Sequence, residues 1–137
     1  MNVLSLHSRI YEATDGRLGH RLVVQPCLLL RTTGRKSGQT RAVPLAYARD
    51  DGGYLVVASN HGYERPPAWL LNLQHKPEAE VQVARKRQPV TASVVLPGDP
   101  EYPRLWKAVN DNNKGRYYRY ESKTSRPIPV VVLTPAG

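Results

Sequence analysis

The sequence predicts a mainly β fold: an antiparallel sheet of about six strands closing into a small barrel, with short helices over its openings. Three observations carry this. Apolar runs of strand length follow one another through short connections rich in Gly, Asp, Asn and Pro. A doubly wound parallel sheet needs a crossover after nearly every strand, whereas here only two helical stretches interrupt the strands. The 137 residues, 40% hydrophobic and 23% charged, suit one domain that buries its core without disulfides.

Residues 3–11 carry apolar side chains near helical spacing, so residues 1–21 are expected to form a helical segment ahead of a barrel domain at 22–137. Residues 22–33 are apolar and end in threonines; Pro26 inside this run predicts an edge or a bulge. Residues 34–39 have turn composition, and residues 40–48 read as a second strand with an irregularity at Pro44. Arg49-Asp50-Asp51-Gly52-Gly53 is a hairpin turn, and residues 54–59 form a continuous apolar strand, buried on both faces.

A short helix is expected over residues 67–73, with Pro67 at its first position. Residues 79–84 and 88–96 alternate as strands of a hairpin around Arg85-Lys86-Arg87. Asp99 is the expected N-cap of a helix over 99–109. Residues 115–126 are polar and tyrosine-rich, and residues 128–133 close the fold as a strand.

Lys and Arg total 20 against 11 acidic residues, a formal charge of +9, and 14 of the 20 are arginine. Such a balance suits an acidic partner: nucleic acid, an anionic membrane surface or a polyanionic small molecule. The one cysteine, Cys27, has no partner for a disulfide or a thiolate metal site, and the four histidines show no ligand spacing, so no metal is expected. No run approaches the ~20 apolar residues of a membrane span. The N-terminus does not read as a signal peptide, and the expected compartment is the cytoplasm, with membrane association left open.

Four segments could carry chemistry. In residues 32–41 two glycines, three cationic side chains and several hydroxyls are equipment for holding a phosphate. The glycine spacing is not that of a P-loop, and a solvated basic turn remains an equal alternative. Ala58-Ser59-Asn60-His61-Gly62 carries a buried strand out into a small polar loop. Trp69 and Asn72 share one helix face. Tyr117 and Tyr120 offer flat apolar surface with hydroxyl donors, suited to stacking on bases or walling a planar molecule. With no evident nucleophile, metal site or acid–base pair, the chemistry falls to a bound cofactor.

Taken together and in this order, the segments resemble a known family. The matching pieces are Leu28-Leu29-Leu30-Arg31-Thr32-Thr33-Gly34-Arg35-Lys36-Ser37-Gly38-Gln39 with Arg41 and Val43-Pro44-Leu45, then Val57-Ala58-Ser59-Asn60. Pro67-Ala68-Trp69 with Asn72-Leu73, and Tyr120 with Lys123-Thr124-Ser125-Arg126-Pro127-Ile128-Pro129-Val130, complete them. The chain is similar to the deazaflavin-dependent nitroreductases, also called coenzyme F-420-dependent quinone reductases, of actinobacteria. The likeness covers about residues 22–135.

That resemblance implies a split β-barrel binding coenzyme F-420, an 8-hydroxy-5-deazaflavin with a phosphodiester and an oligoglutamate tail. The anionic tail answers the +9 charge without nucleic acid. By position, Arg35, Lys36, Ser37 and Arg41 would grip phosphate and tail, and Val43 and Pro44 would border the cofactor. Val57, Ala58, Ser59 and Asn60 would line the ring, which Ala68, Trp69 and Asn72 would flank from the helix. Tyr120, with Tyr117, would sit over the ring where the acceptor binds, and Ser59 or Tyr120 would hydrogen-bond the acceptor oxygen.

The implied reaction is hydride transfer from reduced deazaflavin to a quinone, a nitroaromatic or an activated alkene. A homodimer is left open. Two stretches depart from the family pattern: Asn60-His61-Gly62-Tyr63-Glu64-Arg65 replaces a small glycine-rich stretch, and residues 112–117 are more basic than usual. Both bear on the acceptor more than on the cofactor. Three other readings remain: a deazaflavin carrier without turnover, a flavin-mononucleotide split-barrel oxidoreductase, and a single-stranded nucleic-acid-binding barrel.

Overall fold

The computed structural model describes residues 26–136. The expected helix within residues 1–21 and the expected strand start at 22–25 lie outside the described residues. Seven strands pair antiparallel in one sheet: β1 (Cys27–Thr33), β2 (Thr40–Ala46), β3 (Ala48–Asp50), β4 (Gly53–Val57), β5 (Glu78–Val83), β6 (Lys86–Val95) and β7 (Val130–Pro135). Their order is β2-β1-β5-β6-β7-β4-β3. Three helices are α1 (Ala68–His75), α2 (Tyr102–Asn112) and α3 (Arg116–Glu121).

The count is seven strands rather than about six, because residues 40–48 are not one strand. β2 pairs with β1 at one edge of the sheet, and β3 pairs with β4 at the other, with only Tyr47 between them. Two Cα atoms two residues apart span at most ~7 Å. The sheet therefore curls far enough to bring one end of each edge strand together at Tyr47, a half-barrel that no β2–β3 pairing closes among the described residues. No turn residue marks Tyr47, so the change of partner leaves no trace in the local pattern. Pro44 sits in β2, an edge strand, where a missing N–H is tolerated. Pro26 precedes β1 rather than interrupting it.

Other boundaries also move. The β5–β6 turn falls at Ala84–Arg85, one residue earlier than expected, with Ala84 at φ 53°. α1 begins at Ala68, with Pro67 extended as its N-cap. α2 begins three residues later than expected. The Asp99 carboxylate accepts the Glu101 N–H at 2.8 Å and closes a turn ahead of the helix, which starts with proline in its first turn. α3 had no sequence signal: it is six residues long and buries only Tyr117. Gly115, at φ 73°, breaks it from α2.

Two apolar clusters cover the two faces of the sheet. β4 is buried throughout, as its continuous apolar run predicts; Tyr54 and Val56 face one cluster, Leu55 and Val57 the other. The first cluster joins Leu28 and Leu30 of β1 to Trp69, Leu70 and Leu73 of α1. Each such buried side chain contributes ~1.5–3 kcal/mol, so α1 is held against β1 by its apolar face. The second cluster seats Leu105, Trp106 and Val109 of α2. Trp106 stacks on Tyr102 at 5.4 Å, and the buried Tyr102 hydroxyl donates to the Ile128 carbonyl at 2.7 Å.

Candidate active site

The β1–β2 loop is pulled tight by its own backbone. Gly34 N–H donates to Gln39 O and Gly38 N–H to Gly34 O, both at 2.8 Å. Gly38 sits at φ 73°, and a Cβ on Gly34 would lie 2.8 Å from Ser37 Oγ. Ser37 Oγ accepts the Gln39 N–H at 3.1 Å.

Asn72 pins this loop to α1. Its buried Oδ1 accepts the Arg35 N–H at 3.1 Å and the Arg35 guanidinium at 3.3 Å, and its Nδ2 donates to Thr32 Oγ1 at 3.1 Å. The carboxamide is thus consumed in orienting Arg35, which explains a buried polar residue on an otherwise apolar helix face.

Between loop and helix lies a cavity of about 570 Å³. Four cations, Arg35, Lys36, Arg41 and Arg65, line it, and no carboxylate does. Among the described residues none of the four is in an ion pair. The remaining wall includes Val43, Pro67, Ala68 and Trp69. A second cavity of about 270 Å³ shares Val43, Asn60, Pro67 and Trp69 with the first. Tyr117, Tyr120, Ser59, His61 and Arg116 line its far side.

The loop leaving β4 is clamped from below. The Arg126 guanidinium donates to the carbonyls of Ser59 (2.8 Å), Tyr63 (2.9 Å), Ala58 (3.1 Å) and Pro127 (3.3 Å). Burial lowers its pKa from the usual arginine value, with Glu64 opposing. Glu64 in turn accepts the Ser125 N–H at 2.9 Å and the Ser125 hydroxyl at 3.1 Å. The Lys-Thr-Ser-Arg stretch therefore shapes the site without lining the larger cavity.

The structure brings most of the expected site residues together. Arg35, Lys36, Ser37, Arg41, Val43, Ala68, Trp69 and Asn72 line the larger cavity. Pro44, Val57, Ser59, Tyr117 and Tyr120 line the smaller one, and Asn60 lines both. Ala58 lines neither: it is fully buried in the first core cluster. The Asn60 side chain is committed to Arg65 O at 2.8 Å.

Burial raises the Tyr117 phenol, against a hydrogen bond from Asn113, and Tyr117 and Tyr120 meet edge to face at 6.2 Å. Sequence reasoning missed Arg65, His61 and Arg116. All three lie in the two stretches that depart from the family pattern, which was the available signal.

The chain matches the family model described as F420H(2)-dependent quinone reductase over residues 3–135. It is 53% identical over 135 residues to the F420H(2)-dependent quinone reductase Rv1261c of Mycobacterium tuberculosis, covering 98% of this chain and 91% of that protein. The chain belongs to the F420H(2)-dependent quinone reductase family.

Solved structures agree on the fold. One titled as an F420-H2 dependent reductase (FDR-A) is 36% identical, with a TM-score of 0.69, covering 79% of this chain and 93% of that one. Another, titled as a domain-swapped dimer, is 33% identical with a TM-score of 0.73 and covers 94% of each chain. The split β-barrel expected for this reductase family is the fold found. No helix among the described residues is long and apolar enough to cross a membrane.

Proposed function

We propose that this chain binds reduced coenzyme F420 in the larger cavity and passes its hydride to a quinone held in the smaller one. One observation carries the reading: a single cavity has four cations without carboxylate partners among the described residues and, on its other wall, an indole shared with a second cavity. A cofactor with an anionic tail and a planar ring needs those two kinds of wall. The volume of about 570 Å³ lies within the ~300–1,000 Å³ usual for such ligands.

In this reading Arg35, Lys36, Arg41 and Arg65 hold the phosphodiester and glutamates, and the Ser37 hydroxyl hydrogen remains available to donate. Val43, Ala68 and Trp69 border the ring, and Asn72 acts through Arg35. The bound deazaflavin supplies a two-electron hydride. The protein's task is then to hold acceptor and donor planes at near-attack distance and to exclude water between them.

Tyr117 and Tyr120 wall the acceptor, and the Ser59 hydroxyl lines the same cavity. A hydroxyl from Ser59 or Tyr120 stabilises negative charge as it develops on the acceptor oxygen. The acceptor range extends to nitroaromatics and activated alkenes, which present the same planar, electron-poor face. A homodimer is part of the reading, supported by the domain-swapped relative, and sedimentation gives its mass. A cytoplasmic location rests on the single cysteine.

The test mixes the protein with reduced F420 and follows return of the oxidised chromophore with a panel of quinones and nitroaromatics. Acceptor-dependent oxidation is the expected result. Tight binding of F420 with no oxidation by any acceptor makes the chain a carrier and overturns the enzyme reading.

A further inference from the structure

The loop between β4 and α1 holds three consecutive residues in the left-handed region: Asn60 at φ 44°, His61 at φ 58° and Gly62 at φ 81°. Gly62 is required there, since a Cβ would lie 2.8 Å from Tyr120 O and 3.1 Å from Lys123 Cβ. His61 has no such excuse. Glycine would adopt its backbone at no steric cost, and a histidine in this conformation is strained. Such strain persists where the side chain has a use, and the His61 side chain is well placed for one. It lines the smaller cavity together with Ser59, Tyr117 and Tyr120, and its ring meets Tyr120 edge to face at 5.7 Å.

We propose that His61 is the proton donor to the acceptor oxygen, a role that rests on the quinone-reductase reading above and adds a named residue to it. A quinone that takes one hydride becomes a hydroquinone monoanion, reduced by two electrons while the donor is oxidised by two. One proton on that oxygen completes the hydroquinone. The His61 N–H bond breaks and the acceptor O–H bond forms. The imidazole regains its proton from solvent, which its exposure permits.

Histidine is the side-chain type suited to this exchange near neutral pH. Of the cavity's other donors, burial raises Tyr117 and Cys27 and arginine does not release its proton, while the Ser59 and Tyr120 hydroxyls serve as hydrogen-bond donors to the same oxygen. The His61 ring meets Tyr63 at 6.2 Å and Tyr120 at 5.7 Å, and the other titratable groups lining the cavities it borders are Glu64 on its own loop, Tyr117 and Arg116 from α3, Lys123 beyond α3, and Cys27 from β1. Glu64 is engaged with Ser125 through two hydrogen bonds, and the cations Arg116 and Lys123 border the cavities that His61 lines.

The experiment uses the protein loaded with reduced F420 and compares two acceptors from pH 5.5 to 8.5. Menadione needs a proton; N-methylacridinium takes a hydride alone and needs none. The variants are His61→Asn, which tolerates the left-handed backbone, and His61→Gly, which relieves it.

The ratio of menadione to acridinium rates at pH 6 should fall about 100-fold in both variants. Its decline with rising pH in the wild type should flatten. Thermal unfolding should show His61→Gly at least as stable as the wild type. In the cofactor-free wild type, menadione should shift the imidazole proton resonances of His61 in a histidine NMR titration.

An unchanged ratio and pH profile in both variants, or His61 resonances blind to menadione, overturns the proposal. If the wild type oxidises reduced F420 with neither acceptor, it is the quinone-reductase reading that fails, an outcome distinct from the loss of His61's role.

Discussion

Replacing Asn72 by alanine removes one group that makes three hydrogen bonds: two accepted from Arg35 and one donated to Thr32. Each net bond is worth ~1 kcal/mol, and leaving the Thr32 hydroxyl, 2% exposed, without its partner adds a desolvation cost of the same order. Some of this is recovered as the Arg35 groups turn to water. The expected loss is about 2–3 kcal/mol, or about 6–10 °C in Tm for a chain of this length.

The functional consequence is separate, because Asn72 fixes where the Arg35 guanidinium points into the cavity. F420 affinity should drop about tenfold in Asn72→Ala, measured by quenching of cofactor fluorescence. In the Arg35→Ala background the same substitution should weaken binding much less, since the group it orients is gone. Wild-type Tm and affinity in Asn72→Ala, or affinity losses that simply add in the double variant, would refute the positioning argument.

Arg126→Ala strips four carbonyls of their shared donor and should cost about 2–3 kcal/mol, with hydrogen exchange accelerating first at residues 58–65. Burial, outweighing the nearby Arg116, pushes the Cys27 thiol up to about 11. Its alkylation at pH 8 should be about 100-fold slower than that of a free cysteine, and slower again when a ligand fills the smaller cavity. Hydrogen bonds from the Ser125 N–H, then from the Thr124 and Ser125 hydroxyls, hold the Glu64 carboxyl below the usual carboxylate range. A depressed acid lends its support above its unfolded value and loses it as pH falls through the folded one. The protection factor of the Ser125 amide, corrected for the intrinsic exchange rate, should therefore hold through the ordinary carboxylate range and fall only at more acid pH.

Most of the sheet was legible because its strands carry their own evidence. The all-buried β4 reads directly from its unbroken apolar run, and β5 from the alternation of Val81 and Val83 with Glu80 and Gln82. What escaped was non-local. Nothing near Tyr47 announces that the chain exchanges one sheet edge for the other there, because both sides are equally strand-like. α3 escaped because Arg116–Glu121 lacks an apolar stripe; it rests on Tyr117 and its neighbours rather than on a hydrophobic face.

The site divides the same way. The basic loop and Trp69 could be named from residue type and order, since charge and aromatic surface are local properties. The work of Asn72 could not, because its partners Thr32 and Arg35 lie about 40 residues away in sequence. Ala58 was assigned to the ring wall, but one residue of strand register turns its side chain into the core instead.

The central claim is electrostatic: the cluster of Arg35, Lys36, Arg41 and Arg65 is the seat of the anionic half of F420. Equilibrium binding of F420, and of its deazaflavin fragment lacking the phosphodiester and glutamates, across a series of salt concentrations tests it most directly. Affinity for the whole cofactor should fall steeply as salt rises, while the fragment binds weakly and with little salt dependence. Equal affinity for the two ligands, or a flat salt profile for F420, would contradict it.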